Sequence, residues 1–98
     1  MSDAPVVKEM NASGTKGRFV IKLPEGVAEL TFSVTTPTLI IADHTGVDPA
    51  LEGQGLAKRL VEALIADARQ AGYRIVPLCP YVNAQRRRHP EWADVFSV

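Results

Sequence analysis

Cysteine is almost absent from this chain of 98 residues, since Cys79 is the only one. A single cysteine cannot form a disulfide within the chain, and with only two histidines it makes a poor zinc-binding set. We therefore expect no metal site and a reducing, cytoplasmic location. Long apolar runs are missing too, and the first residues lack the apolar segment of a signal peptide. A soluble protein with no membrane partner is expected.

An excess of charge of one sign is also missing. The 11 Lys and Arg residues balance the 11 Asp and Glu residues, so the formal net charge is zero. Because nucleic-acid-binding proteins usually carry an electropositive face, we expect no nucleic-acid partner. Hydrophobic residues make up 46% of the chain and charged residues 22%, a composition typical of globular rather than disordered proteins. The length predicts a single domain over residues 1–98.

Five segments have the residue types of β-strands: residues 6–10, 18–23, 28–34, 38–44 and 73–78. The second and third are separated only by a short break at Pro24-Glu25-Gly26, which predicts an antiparallel hairpin. The apolar run in residues 38–44 indicates a central strand, covered on both faces. In the last segment, Pro77 indicates a sheet edge, a bulge or the end of the strand.

Residues 54–71 have apolar side chains at helical spacing, and Gly72 stands where a left-handed residue would end the helix. A strand, this helix and a further strand predict a parallel pair joined by a right-handed crossover. Short helices are expected at residues 81–88 and 90–98, separated by Pro90. Trp92 and Phe96 would share a helix face, in the core or, as the alternative, in a dimer patch. These elements predict a mixed α/β (α+β) fold.

Two glycines, Gly53 and Gly55, come directly before the helix. Glycines permit a sharp turn, and the first turn of a helix offers unpaired N–H groups and a partial positive charge, which together suit a phosphate. The pattern is not a P-loop, because Leu56 follows where Lys-Ser/Thr is required. It also lacks the third glycine of a dinucleotide fingerprint, since Lys58 stands there.

The segment Glu52 to Ala57 resembles the acyl-CoA pyrophosphate loop of the GNAT-type N-acetyltransferases, whose pattern is Gln/Arg-x-x-Gly-x-Gly/Ala. Val47-Asp48-Pro49 resembles the Val-x-Pro that ends the fourth strand in that superfamily. The motifs Asp43-His44-Thr45, Cys79-Pro80-Tyr81-Val82 and His89-Pro90-Glu91 are similar to its small stand-alone, YjdJ-like branch. One departure is Glu52, which stands where the superfamily has Gln or Arg.

The resemblance implies a minimal GNAT-like fold, with antiparallel N-terminal strands, a central helix after the glycine-rich loop, and a parallel strand pair that splays apart at the CoA site. It implies acetyl-CoA as co-substrate, an unknown amine as acceptor, and pantetheine bound along the backbone near His44 to Val47. The candidate cofactor-binding residues are Thr45, Val47, Glu52, Gly53, Gln54, Gly55, Leu56, Ala57, Lys58 and Asn83. Asn83 has a second interpretation, as the N-cap of a helix.

Three residues are candidates for catalysis: Cys79, His44 and Tyr81. Cys79 could accept the acetyl group or protonate the departing thiolate, or be a buried structural residue. His44 could deprotonate the amine or simply end a strand, and alternation places Asp43 and His44 on opposite faces of the sheet. Tyr81 is a second candidate general acid, or an ordinary half-buried aromatic residue.

Two questions stay open at this point. The basic run Arg86 to Arg88 could attract the 3′-phosphate of CoA or form a solvated helix face. The chain is also short for an enzyme of this kind, with little sequence left to build an acceptor site. A non-catalytic acyl-CoA binding or sensing module is therefore the alternative to an N-acetyltransferase. Either would be a monomer or a weak homodimer.

Overall fold

A computed structural model describes residues 4–98 of the chain as one five-stranded sheet with helices after its fourth and fifth strands. The strands are β1 (Val7–Met10), β2 (Lys16–Leu23), β3 (Gly26–Thr36), β4 (Leu39–Val47) and β5 (Arg74–Val76), and they lie in the sheet in chain order. The first four strands are antiparallel and β5 is parallel to β4. The predicted hairpin and the predicted parallel pair are both confirmed, and so is the mixed α/β fold.

A β-bulge interrupts the pairing of β3 with β4. Thr31 lies opposite His44, whereas the next residue of β3, Phe32, lies opposite Ala42, so Asp43 is the extra residue on β4. A bulge of this kind locally breaks the alternation of side chains between the two faces of a sheet. The strand also runs three residues beyond the predicted end at His44, to Val47.

The connection from β4 to β5 passes through a 3₁₀ helix (Pro49–Leu51), the glycine turn and the helix α1 (Leu56–Ala71). Helix α1 covers the sheet face that carries the inward residues of β2 and β3, among them Phe19, Ile21 and Leu30. The apolar stripe predicted for this helix is buried at every position: Leu56, Leu60, Val61, Leu64, Ile65 and Ala68. Gly72 has a φ of 81° and ends the helix as expected, with its N–H bonded to the carbonyl of Ala68.

The C-terminal part begins where β5 ends, one residue before Pro77. Helix α2 (Pro80–Arg88) is followed by a 3₁₀ helix (Pro90–Val95), which ends three residues before the end of the short helix predicted over residues 90–98. Trp92 and Phe96 are buried in the core, as one of the two interpretations predicted. Phe96 forms a bridge beside Ile75, and the Ser97 N–H bonds to the Ile75 carbonyl at 2.8 Å. The last residues therefore lie along the outer side of β5.

Candidate functional site

The glycine turn leaves the start of α1 open. Gly53 and Gly55 have φ values of 84° and 71°, in the left-handed region that favours glycine. A Cβ at either position would meet no atom within 4 Å, so the backbone conformation rather than lack of space calls for glycine. Gly55 is the N-cap residue, and no side chain caps the helix. The N–H groups of the first turn are thus available to an anion, as the sequence predicts.

A shallow groove of about 160 Å³ lies beside this turn. Eight of the predicted site residues line this groove, together with the core residue Leu51. The eight are Val47, Glu52, Gly53, Gly55, Leu56, Ala57, Lys58 and Tyr81. The end of β4, the start of α1 and the start of α2 therefore meet at one place. Gln54 is exposed in the turn itself, while Thr45 and Asn83 do not line this groove.

The parallel pair of strands separates next to the groove. Strand β5 pairs with β4 only at Leu39 to Ile41, so the β5 side of β4 has no strand partner from Asp43 to Val47 among the residues described. Beyond the paired residues, the segment after β5 makes one more backbone hydrogen bond to β4, in which the Cys79 N–H donates to the Ala42 carbonyl at 2.8 Å. An unpaired strand edge presents backbone N–H and C=O groups to an extended ligand. The splayed pair inferred from the resemblance is present.

Cys79 lies at this separation and is the N-cap residue of α2. Its side chain is 2% exposed, and Sγ is 3.2 Å from the Thr45 hydroxyl on β4. Two candidate residues, Thr45 and Cys79, are therefore in contact across the opening. The thiol is covered in this state, so a reagent can reach it only if the opening widens or a ligand displaces neighbouring groups.

The prediction that Asp43 and His44 lie on opposite faces of the sheet is wrong. Asp43 accepts a hydrogen bond from the Ser33 hydroxyl at 2.6 Å, and His44 is paired with Thr31. Ser33 and Thr31 are two apart on β3 and project from one face, the face away from α1. The bulge at Asp43 is the physical reason, because it inserts one residue and brings two consecutive side chains to the same side. The His44 side chain is exposed there.

Tyr81 is half-buried in the first turn of α2 and lines the groove beside the glycine turn. Burial raises the pKa of its phenol, with Arg88 acting in the opposite direction and Glu62 raising it further. The phenol therefore keeps its proton at neutral pH and can donate it in a hydrogen bond.

Asn83 is not an N-cap, which corrects the second interpretation of this residue. Pro80 is the first residue of α2, so Cys79 is the cap and Asn83 lies one turn inside the helix. Proline favours the first helical position because its missing N–H would be unpaired there in any case. The Asn83 side-chain oxygen accepts a hydrogen bond from Arg86 Nε at 3.0 Å.

The sequence did not single out the polar residues that surround Asp43 on the face away from α1. Ser33 and Thr31 line a second, larger groove there, together with Arg18 of β2 and Glu9 of β1. With Asp43 of β4, the lining comes from four strands, and only the strand register brings these residues together. The sequence contains one signal that could have pointed to this groove. Alternation in residues 28–34 places Thr31 and Ser33 on the face of the sheet opposite to Leu30 and Phe32.

Between residues 4 and 98, no helix is long and apolar enough to cross a membrane. Over the same residues, no group of three or more His, Cys, Asp or Glu side chains is placed to hold a metal ion.

Comparison with known proteins identifies what the chain is similar to. The family model described as GCN5-related N-acetyl-transferase matches residues 18–95. The solution structure of a GCN5-like protein from Staphylococcus aureus, described as a putative N-acetyltransferase, superposes with a TM-score of 0.70 at 26% sequence identity. The match covers 99% of this chain and 91% of that protein. No curated protein matches the chain.

Proposed function

Because the chain belongs to the GCN5-related N-acetyltransferase family, we propose that it transfers an acetyl group from acetyl-CoA to an amine. The observation that carries the proposal is the position of the uncapped start of α1 beside the unpaired edge of β4. The first feature suits a pyrophosphate and the second suits an extended amide chain, and CoA contains both groups. The groove lined by Val47 and Lys58 joins them.

In the bound state we expect the backbone N–H groups from Gly53 to Ala57 to hold the pyrophosphate, with Gln54 and Leu56 in the same turn. The Lys58 ammonium adds a positive charge at the groove. Pantetheine would lie along β4 from Thr45 to Val47, which leads its thioester towards Cys79. Glu52 is exposed at the groove, so its carboxylate can remain in solvent while the backbone binds the phosphates.

The proposed chemistry is direct transfer. A protonated amine first gives a proton to the His44 imidazole, and the neutral nitrogen then attacks the thioester carbonyl carbon. A C–N bond forms and the C–S bond breaks. The CoA thiolate leaves and takes a proton from Tyr81, or from Cys79 where the opening has widened enough to expose its thiol. The donor is restored by the proton that the amide nitrogen loses. The products are the N-acetylated amine, CoA and one proton.

The burial of Cys79 supports direct transfer over a route through an acetylated cysteine. A nucleophilic thiol must reach the carbonyl carbon, and this one is 2% exposed and in contact with Thr45. Intact mass after incubation with acetyl-CoA separates the two routes. An acetyl adduct that disappears in Cys79→Ala would establish the covalent route instead.

Thermal unfolding with and without CoA tests the proposal. A ligand that binds only the folded state at 100 times its Kd adds about 2.7 kcal/mol to the free energy of unfolding. Release of free CoA thiol with a panel of amines then measures transfer. Stabilisation by CoA without thiol release would support the alternative, a non-catalytic acyl-CoA binding module. No stabilisation at millimolar CoA would contradict both.

A further inference from the structure

A groove on the sheet face away from α1 has a volume of about 600 Å³, which is much larger than the groove at the glycine turn. Its polar lining comes from Glu9, Asn11, Lys16, Arg18, Thr31, Ser33 and Asp43. A groove of this size accommodates a small organic molecule.

Two of the four charged side chains that line this groove, Glu9 and Arg18, already have a partner. Arg18 contacts Glu9 and Glu29 at 2.8 Å each, and Lys22 contacts Glu9 at 2.8 Å. Two lining charges are different. Within residues 4–98, neither Lys16 nor Asp43 takes part in a salt bridge. The groove therefore presents one uncompensated cation and one uncompensated anion.

The strand register separates these two charges by a defined span. Lys16 lies opposite Ser33, and the Ser33 hydroxyl holds the Asp43 carboxylate at 2.6 Å. The two charges thus stand on β2 and β4 with β3 between them. Ser33 is paired with Ile41, so Asp43 is also displaced by two residues along β4. Two inter-strand spacings of about 4.8 Å and this displacement put the two backbones about 12 Å apart. The Ser33 contact orients Asp43 and leaves further lone pairs of its carboxylate for a ligand.

The anionic end of the groove lies at the opening between the strands. Asp43 is the first residue of β4 beyond the pairing with β5 and beyond the Cys79 contact. His44, the proposed proton acceptor, is the next residue, and the bulge places both side chains on the groove face. An ammonium group held at Asp43 would therefore be next to the imidazole that removes its proton.

We propose that this groove binds the acetyl acceptor, and that the acceptor is a zwitterion with its ammonium group at Asp43 and its carboxylate at Lys16. A short peptide or an ω-amino acid has this chemistry, because its two charged ends are far enough apart to reach both side chains. The inference rests on the proposed N-acetyltransferase function and adds the substrate class. A polyamine would meet repulsion from Lys16, because the charge of the groove is balanced rather than acidic.

Three probes of equal chain length test the assignment: ε-aminocaproate, n-hexylamine and hexamethylenediamine. They share a reactive amine and differ only in whether the other end is anionic, neutral or cationic. We expect kcat/KM for CoA thiol release to favour ε-aminocaproate over n-hexylamine by about 2- to 5-fold, the range for a partly exposed ion pair. In Lys16→Glu the order should reverse in favour of the diamine, and in Lys16→Gln the preference should disappear.

The matched control is Arg74→Glu, which changes the net charge equally at an exposed position of β5 outside the groove. It should keep the wild-type preference.

Amide chemical shifts give a readout without turnover, and ε-aminocaproate should move the resonances of Ser33 and Asp43 in the presence of CoA.

Equal kcat/KM for the three probes, an unchanged order in Lys16→Glu, or no shifts at Ser33 and Asp43 would each overturn the inference. In all three cases CoA would still stabilise the protein, so the proposed function would stand. Loss of CoA stabilisation itself would instead contradict the proposed function and the inference with it.

Discussion

Replacing Gly55 by alanine should destabilise the fold and weaken CoA binding, whereas the same change at Gly72 should only destabilise the fold. Both residues have left-handed backbones, with φ values of 71° and 81°, and a Cβ at either would meet no atom within 4 Å. The strain is therefore the same in kind and is not complicated by a clash. Only Gly55 lies at the start of α1, beside the proposed pyrophosphate site.

An L-residue in this region costs about 1–2 kcal/mol relative to its preferred backbone conformation. For a domain of this length, each 1 kcal/mol lowers the melting temperature by about 4–8 °C. Urea unfolding should show similar losses of free energy in Gly55→Ala and Gly72→Ala. In addition, Gly55 lies in the turn proposed to bind the pyrophosphate, so strain at this residue would disturb the N–H groups that hold the phosphates. Loss of one charge-assisted hydrogen bond costs about 1.5–3 kcal/mol, so we expect CoA affinity to fall about tenfold or more.

The assay is CoA titration of both variants, followed by the shift in melting temperature. The ratio of the two dissociation constants isolates the local effect, because the backbone strain is common to both. Wild-type CoA affinity in Gly55→Ala would refute the assignment of the pyrophosphate to this turn. A loss in Gly72→Ala as large as that in Gly55→Ala would mean that global destabilisation, and not the turn, controls binding.

Two further predictions concern stability. Leu60→Ala should lower the free energy of unfolding by about 2–5 kcal/mol because the side chain is fully buried under the sheet. The control is Leu78→Ala, at a side chain that is 65% exposed, which should change this free energy by less than about 0.5 kcal/mol. Urea unfolding of both variants checks this, and similar losses would contradict the placement of Leu60 in the core. Hydrogen bonds from Lys22 and Arg18 lower the pKa of Glu9 below 4.5 in the folded protein. Its contribution to stability is therefore present above pH 4.5 and lost as the pH falls through the lowered pKa. Glu9→Gln should be less stable than the wild type at neutral pH and should show a smaller loss on acidification, and parallel pH profiles would contradict this.

The elements with a repeating pattern were the ones that sequence could predict. All six apolar positions predicted for α1 are buried, and the left-handed Gly72 ends the helix. The hairpin was predicted from the alternation of two segments and the short break between them. The parallel pair was predicted from the order strand, helix, strand and the right-handed crossover that such an order favours. In each case the signal lies within one segment, so no knowledge of the neighbouring strand is needed.

The failures have a different origin. The relative positions of Asp43 and His44 depend on a bulge, which is a property of two strands together and has no signature in β4 alone. The N-cap of α2 was misplaced because Pro80 starts the helix earlier than Asn83 suggested. The groove around Asp43 was missed for a similar reason, since its lining comes from strands far apart in the chain.

The position of Phe96 and Ser97 beside β5 has a consequence for how the protein behaves at high concentration. An uncovered strand edge is a template on which another chain can add, and sheets with two such edges are prone to self-association. Here the final residues occupy the outer side of β5. In the part of the chain that is described, β1 is then the remaining outer strand, and it is only four residues long with Lys8 and Glu9 in it. Deleting residues 96–98 should expose a second edge, and we expect light scattering to show more self-association in the shortened protein than in the full chain.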